Sequence, residues 1–421
     1  MTFASEDTGY PHTNSLNNST IATSLISTHG LEHMYGRSFL VLIPAIYTAF
    51  GLAPIQAGLL DAVRQLSSGI TSMSCGFFVD MFQHRRGEAL ALSLLLIGIG
   101  YLLVAISPTY LLILAALVIA SAGSALWHPP SLGILSQRFP NRRGFFISLH
   151  RSSGNVGDWI GPVIVGVLLT LLSSNPQAWR WIMGGGTPIM IIASVLIFIF
   201  LRNIGGSRST DNKFSEKFKH QFADMVTSFK GTGMWSIFTV SAVRGMGDRA
   251  LLWVIPLYLS QELGLGGFWV GVHVALLAAP GVIAGPIFGV LSDLTSRKIV
   301  ITLIMAIAIF LPIAIVLGGG TIVMTISIAL FGLFLFSVNS LTQAAAIDVA
   351  ENKGLEATFI GLMWGSNAFF GAISSVAAGA LVGAFGWQSA FYFAAFLFAV
   401  GFISSLMMPS KLIQRTTAKT S

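Results

Sequence analysis

Twelve apolar stretches, each near the ~20 residues a helix needs to cross a bilayer, leave this chain little choice of fold. They run at 24–50, 55–79, 88–106, 109–137, 144–173, 179–201, 233–260, 267–292, 298–317, 320–349, 355–384 and 386–408. A bilayer core offers an open backbone no hydrogen-bond partner, so a crossing segment is a helix or a strand of a closed barrel. Barrel strands are about half as long as these stretches, which leaves helices. Only 9% of the residues are charged, against about a quarter in a soluble domain. The expected class is therefore an all-α membrane protein with 12 transmembrane helices. Residues 1–20 are polar and lack Lys or Arg, so they do not resemble a cleavable signal peptide. Cys75 is single, so no intrachain disulfide is expected.

The chain is also duplicated. Arg37 and Pro44 return 212 residues later as Arg249 and Pro256. GFFVDMFQHRR, from Gly76, returns 213 residues later as GVLSDLTSRKI, from Gly289. FISLHRSSG, from Phe146, returns at the same offset as FIGLMWGSN, from Phe359. So long a period marks duplicated halves, not short solenoid repeats. Between the copies runs the polar, charge-rich stretch from Arg202 to Lys230. The expected layout is a tail at 1–23, a six-helix bundle at 24–201, a linker at 202–232, a second bundle at 233–408 and a tail at 409–421. Two pseudo-symmetric six-helix halves suit a secondary transporter with its site near the midplane between them.

The formal net charge of +7 is not a nucleic-acid patch. Most Lys and Arg residues lie in the linker, the C-terminal tail and alternate loops (QHRR, PNRR, TSRK and ENKG), while the opposite loops carry almost none. By the positive-inside rule both termini face the cytoplasm, and a bacterial inner membrane is the expected location. There is no Gly-Lys dipeptide, so no Walker A motif and no ATP motor. No cofactor, no nucleic acid and a monomeric chain are expected.

The first span reads HGLEHMYGR from His29 to Arg37. His29, Glu32, His33 and Arg37 recur at helical spacing, and ionisable groups in a bilayer are costly enough that this face should meet a water-filled cavity or a partner helix. HGLEH also fits the inverted zinc-protease pattern. A membrane zinc hydrolase is thus a remote alternative, and no second motif supports it. Asp61 and Arg64, three apart in the second span, read equally as an ion pair that fixes packing.

Several motifs carry a family resemblance. Gly76-x-x-x-Asp80 followed by Arg85 and Arg86, and Gly289-x-x-x-Asp293 followed by Arg297 and Lys298, resemble the loop motif of the major facilitator superfamily. Met81 and Leu294 stand where that motif has a basic residue. The resemblance implies a cytoplasmic gate whose charge contacts break and reform as the halves rock. HGLEH with Pro44, Ser124-Ala-Leu-Trp-His128-Pro-Pro130, and the run from Ser148 to Pro162 look like the fosmidomycin-resistance branch of that superfamily. That branch shows H-x-x-N-D with a proline eleven residues on, S-x-x-F-H-P, and S-L-F-x-x-G-G-N-x-G-x-x-x-G-P. Here Glu32 and His33 replace its Asn and Asp, and Arg151 and Asp158 stand where it is uncharged. Gly157, Gly161 and Pro162 resemble the antiporter motif of drug exporters, although Gly281, Gly285 and Pro286 repeat the spacing as plain helix packing would.

Five arginines fall within predicted spans: Arg37, Arg64, Arg151, Arg244 and Arg249. Arg keeps its charge and presents a planar fork that matches carboxylate or phosphate. A cavity holding several favours a small anion such as a phosphonate, a polycarboxylate or an anionic metal chelate. Complete internal pairing would remove that basis. Asn155, Asn339, Gln343 and Asn367 join the substrate candidates, although each is also explicable as a helix–helix hydrogen bond. Proton exchange would fall to Glu32, His33, Asp61, His128, Asp158 or Asp248. The expected function is proton-coupled efflux by alternating access. The alternative is an uptake symporter for an organic anion or a siderophore-like chelate.

Overall fold

A computed structural model describes residues 17–81, 83–202, 204, 229, 233–350 and 356–409. Among the described residues there are fourteen α-helices and no strand. They are α1 (Asn18–Phe50), α2 (Pro54–Met81), α3 (Arg86–Ile106), α4 (Tyr110–Arg138), α5 (Arg143–Leu171), α6 (Ala178–Gly185), α7 (Thr187–Leu201), α8 (Met234–Leu257), α9 (Gly267–Leu276), α10 (Gly281–Leu294), α11 (Arg297–Gly318), α12 (Ile322–Ala350), α13 (Glu356–Phe385) and α14 (Gln388–Leu406). Nine helical stretches among them, two of which combine a pair of these helices, are long and apolar enough to cross a membrane. α1, α2 and α8 are helices of 33, 28 and 24 residues whose ionisable side chains lower their hydropathy.

Three predicted boundaries change. α1 begins at Asn18, six residues before the predicted span, because Asn17 caps it by accepting the Ser19 amide at 3.1 Å. The predicted span 179–201 is broken at Gly186, where Pro188 opens α7 without an amide hydrogen to give. The predicted span 267–292 is broken by the turn at 277–280, which ends on Pro280. Most of the expected linker and most of the two tails lie outside the described residues, while 18–23 of the expected N-terminal tail belong to α1.

The chain divides into two compact units. The first holds the described residues of Met1–Thr210 and Ile255–Ala275, the second those of Asp211–Val254 and Leu276–Ser421. In the first unit α1 and α5 cross backbone to backbone. A methyl group on Gly157 would collide with the Gly30 carbonyl oxygen, and one on Gly161 with that of Met34, so only glycine permits this approach. Hydroxyls bond neighbouring helices where no water is at hand: Ser67 to Val118 O, Ser93 to Gly123 O and Ser194 to Ala91 O, each at 2.7 Å. Arg180 donates to the carbonyls of Ala105 and Ser107 at 2.6 and 2.8 Å, tying α6 to the end of α3. In the second unit Arg244 donates to Leu335 O at 2.8 Å and Ser374 to Met246 O at 2.7 Å, which ties α8 to α12 and α13.

Candidate functional site

The polar face of α1 anticipated from HGLEH is turned toward α4 and α5. His29, His33 and Arg37 succeed one another at four-residue steps, so they stack along one side of the helix. Opposite them, α5 presents Asp158, 3% exposed. One carboxylate oxygen of Asp158 accepts from Arg37 at 2.9 Å, and the other meets His33 Nδ1 at 3.0 Å. On the far side of His33, Nε2 lies 3.6 Å from Glu32 Oε2. Glu32 is itself buried, and its other oxygen accepts from Ser124 of α4 at 2.5 Å. The result is a polar row, Ser124–Glu32–His33–Asp158–Arg37, hydrogen-bonded except across the 3.6 Å between Glu32 and His33, that joins three helices.

Around Glu32 and His33 stand three more imidazoles. His29 stacks on His150 of α5, with ring centroids 3.7 Å apart and planes at 11°. It meets His33 and His128 edge-on at 4.4 and 5.3 Å. Trp127 donates its indole N–H to His150 Nε2 at 3.4 Å. Gly154 makes room for the group, since a methyl there would lie 2.8 Å from His29 Nε2 and 3.1 Å from His33 Nε2. Four of the chain's eight histidines thus share one place. His150 escaped the sequence reading. The signal available was its departure from the α5 motif, which has Phe at that position, but what marks it is a ring stacked across helices.

The predicted substrate arginines separate. Arg37 is bonded to Asp158 and Arg244 to Asp248, the latter at 2.8 Å as the four-residue spacing allows. Arg64 reaches Asp61 only at 4.0 Å; it donates to Gly36 O at 3.2 Å and lies over the Phe39 ring. Asp61 accepts from Gln65 at 3.3 Å. These contacts reduce the set of arginines available to an anion. Arg151 is exposed and has no acidic partner among the described residues. It shares a face of α5 with Asn155 and Asp158, yet Asp158 alone of the three is buried. In the second unit Gln343 is buried, Asn339 is half-buried, and Asn367 packs its side-chain oxygen against Gly245 with no hydrogen-bond partner. Arg249 packs its side chain over Gly371.

The two copies of the loop motif differ. The side chain of Asp80 lies outside the described residues. Among the described residues Arg85 makes an exposed pair with Glu88 at 3.8 Å. Arg86, read as a loop cation, is buried against Gly133 of α4 at the first turn of α3. In the second copy Arg297 joins Asp293 at 3.2 Å, Asp348 at 2.5 Å and the Ser292 hydroxyl at 3.0 Å. Lys298, next to it, is half-buried.

The helical architecture has close counterparts among known proteins. A bacterial homologue of the human lysosomal transporter Spinster, solved inward-facing and unoccupied, matches with a TM-score of 0.75 at 16% identity, over 93% of this chain and 97% of that one. The nucleoside transporter NupG matches with a TM-score of 0.72 at 14% identity, over 92% and 98%. In sequence, an uncharacterised MFS-type transporter of Bacillus subtilis (strain 168), YfnC, is 24% identical over 90% of this chain and 91% of its own length. A fosmidomycin resistance protein of Escherichia coli (strain K12) is 22% identical over 45% of this chain and 44% of that protein. Transport, not hydrolysis, is the business of this kindred, so the zinc-hydrolase alternative falls. With the model of the Major Facilitator Superfamily matched over residues 25–373, this integral membrane protein belongs to that superfamily of transporters.

Proposed function

We propose that the chain is a proton-coupled exporter of a small anionic molecule, such as a phosphonate or polycarboxylate, working by alternating access in a bacterial inner membrane with both termini cytoplasmic. The observation that carries this reading is the bracketing of His33 by two carboxylates. His33 lies between Glu32 and Asp158 and is 28% exposed, whereas both carboxylates are almost fully buried. An imidazole so placed can take a proton from water and share it with either neighbour. Asp158 also holds Arg37. A proton on this chain weakens the Asp158 clamp and frees the Arg37 guanidinium for an incoming anion, so proton uptake and anion binding are linked through one network. That linkage supports proton coupling, and the outward direction rests on sequence likeness.

Arg151 supplies the second half of the reading. It lies eight residues into α5, or about 12 Å along the axis at ~1.5 Å per residue. A cation at that depth is too costly to leave in lipid, which favours a water-filled path. The likeness to a protein named for fosmidomycin resistance supports a drug-like anion and outward movement. The Arg297–Asp293–Asp348 cluster suits a cytoplasmic gate.

The test uses purified protein in liposomes that enclose a pH-sensitive dye. A proton gradient is imposed, then phosphonates, polycarboxylates, iron chelates and neutral drugs are added singly. Dye response to one anionic class, lost in Arg151→Ala and Asp158→Asn, is the expected result, and its sign separates export from uptake. Response to neutral drugs alone would overturn the reading.

A further inference from the structure

We propose that His29, Glu32 and His33 form a binding site for a divalent transition-metal ion of the zinc, cobalt or nickel type. Among the described residues this is the one group in which three metal-ligating side chains converge, with one ligand atom of each within 4.8 Å of the others. His29 Nδ1 lies 3.7 Å from Glu32 Oε2, and His33 Nε2 lies 3.6 Å from the same oxygen. Both separations exceed a hydrogen bond. They sit near the edge of a ligand polyhedron: donors ~2.1 Å from a tetrahedral zinc are ~3.4 Å apart. The third edge, between the two imidazoles, is the longest at up to 4.8 Å, so closing the triangle draws the two rings together by about an ångström.

Two independent features point the same way. His29 Nδ1 and Glu32 Oε2 are buried polar atoms without a hydrogen-bond partner, on residues each 3% exposed. A buried polar atom left without a partner is costly, and here two such atoms face one another across the gap. The outer contacts also suit a metal. His33 sets its Nδ1 on Asp158 at 3.0 Å, and Asp158 is anchored by Arg37 at 2.9 Å. A carboxylate on the far nitrogen of a ligating histidine fixes its tautomer and aims the lone pair of the near nitrogen at the metal. Glu32 is steadied in the same manner by the Ser124 hydroxyl. Two imidazoles and one carboxylate suit zinc-like ions and not calcium or magnesium. His33, partly exposed, gives the ion a way in, and the His128 ring stands 5.9 Å from that of His33. The site shares Glu32 and His33 with the proposed proton path, so metal and protons would exclude one another there.

Binding is tested on untagged full-length protein in detergent, stripped with a chelator and titrated with Co2+ and with Zn2+. The expected result is one equivalent of Co2+ with the visible absorption of a four-coordinate ion, displaced by Zn2+ and not by Mg2+. His29→Ala and Glu32→Gln are each expected to weaken binding at least ~10-fold, and Asp158→Asn by ~10–100-fold as an outer-contact change. Replacing His84, which lies outside the cluster, should leave binding unchanged. Absence of Co2+ binding by the wild-type chain overturns the proposal, whatever the variants do. So does binding that His29→Ala and Glu32→Gln, eluting as folded monodisperse protein, leave intact. No gradient or substrate enters this measurement, so failure of the transport reading and failure of the metal site are told apart.

Discussion

Asp158→Asn is the most informative single change, because one carboxylate serves two partners. The Arg37 guanidinium and the carboxylate approach to 2.9 Å, with side-chain exposures of 17% and 4%. At an effective dielectric of about 20, unit charges at that distance attract by ~6 kcal/mol, most of it offset by desolvation. Removing one member of a buried pair costs about 3–5 kcal/mol, since the survivor is left uncompensated. The exposure of Arg37 lets it regain some water, so about 3 kcal/mol is expected for Asp158→Asn. Arg37→Gln leaves Asp158 its second partner, His33, so that change should cost about 2 kcal/mol by the same reasoning. The double variant no longer buries an unpaired charge. It should cost about 3 kcal/mol instead of the ~5 of simple addition, a coupling of about 2 kcal/mol and within the range for residues in contact. Reversible unfolding by SDS titration in mixed micelles measures all four species. Single changes that add to within about 0.5 kcal/mol would refute the coupling and, with it, the view that proton and anion are linked through the Arg37–Asp158 pair.

Other perturbations read separate parts of the structure. Gly157→Ala puts a methyl group into the Gly30 carbonyl and is expected to cost about 1–3 kcal/mol, whereas Gly285→Ala meets nothing within 4 Å and should stay within about 0.5 kcal/mol; SDS titration compares them directly. Ser124→Ala removes the donor to Glu32 and should cost about 1–3 kcal/mol. It should also move the midpoint of the pH–flux curve in liposomes, which a purely structural serine would not do. At the second loop motif, Asp293 is 62% exposed and Asp348 only 23%. Asp293→Asn should therefore change stability by under about 1 kcal/mol, while Asp348→Asn should cost more and alter the flux rate.

The sequence disclosed the fold more fully than the site because the two rest on different information. Hydropathy counts what lipid tolerates, and that is enough to place α3, α4, α11 and α14. It has no term for local hydrogen bonding, which is why the breaks at Gly186 and at 277–280 were not anticipated. Proline alone does not mark them, since Pro44, Pro162, Pro256 and Pro312 lie inside unbroken helices. Along α1 the spacing of His29, Glu32, His33 and Arg37 revealed a polar face. What that face touches depends on Asp158, 125 residues beyond His33, and on ring stacking with His150. Charges could be counted in sequence; their partners could be found only in three dimensions. Five arginines therefore suggested an anion-binding cavity, whereas the folded chain assigns Arg37 and Arg244 to carboxylates and shows none for Arg151 among the described residues.

The two departures from the fosmidomycin-resistance pattern become one when the geometry is considered. On α1 an aspartate is replaced by His33; on α5 an uncharged position is replaced by Asp158. In the structure these two residues are bonded to each other at 3.0 Å. The acid absent from position 33 of α1 is thus matched by one on the facing helix that touches residue 33 itself, with Arg37 as its counter-ion. The arrangement pairs a carboxylate with Arg37 and sets an imidazole between that carboxylate and Glu32. A site so built has two more proton-exchanging groups than the pattern it departs from, and His33 is the most exposed of the three. His33→Asp in an Asp158→Gly background would move the acid back to α1 beside Arg37. If the carboxylate's place matters and its helix of origin does not, that double variant retains proton-coupled flux in the liposome assay, while Asp158→Gly alone loses it. Loss of flux in both would mean that His33 has a part of its own, which a returned aspartate cannot play.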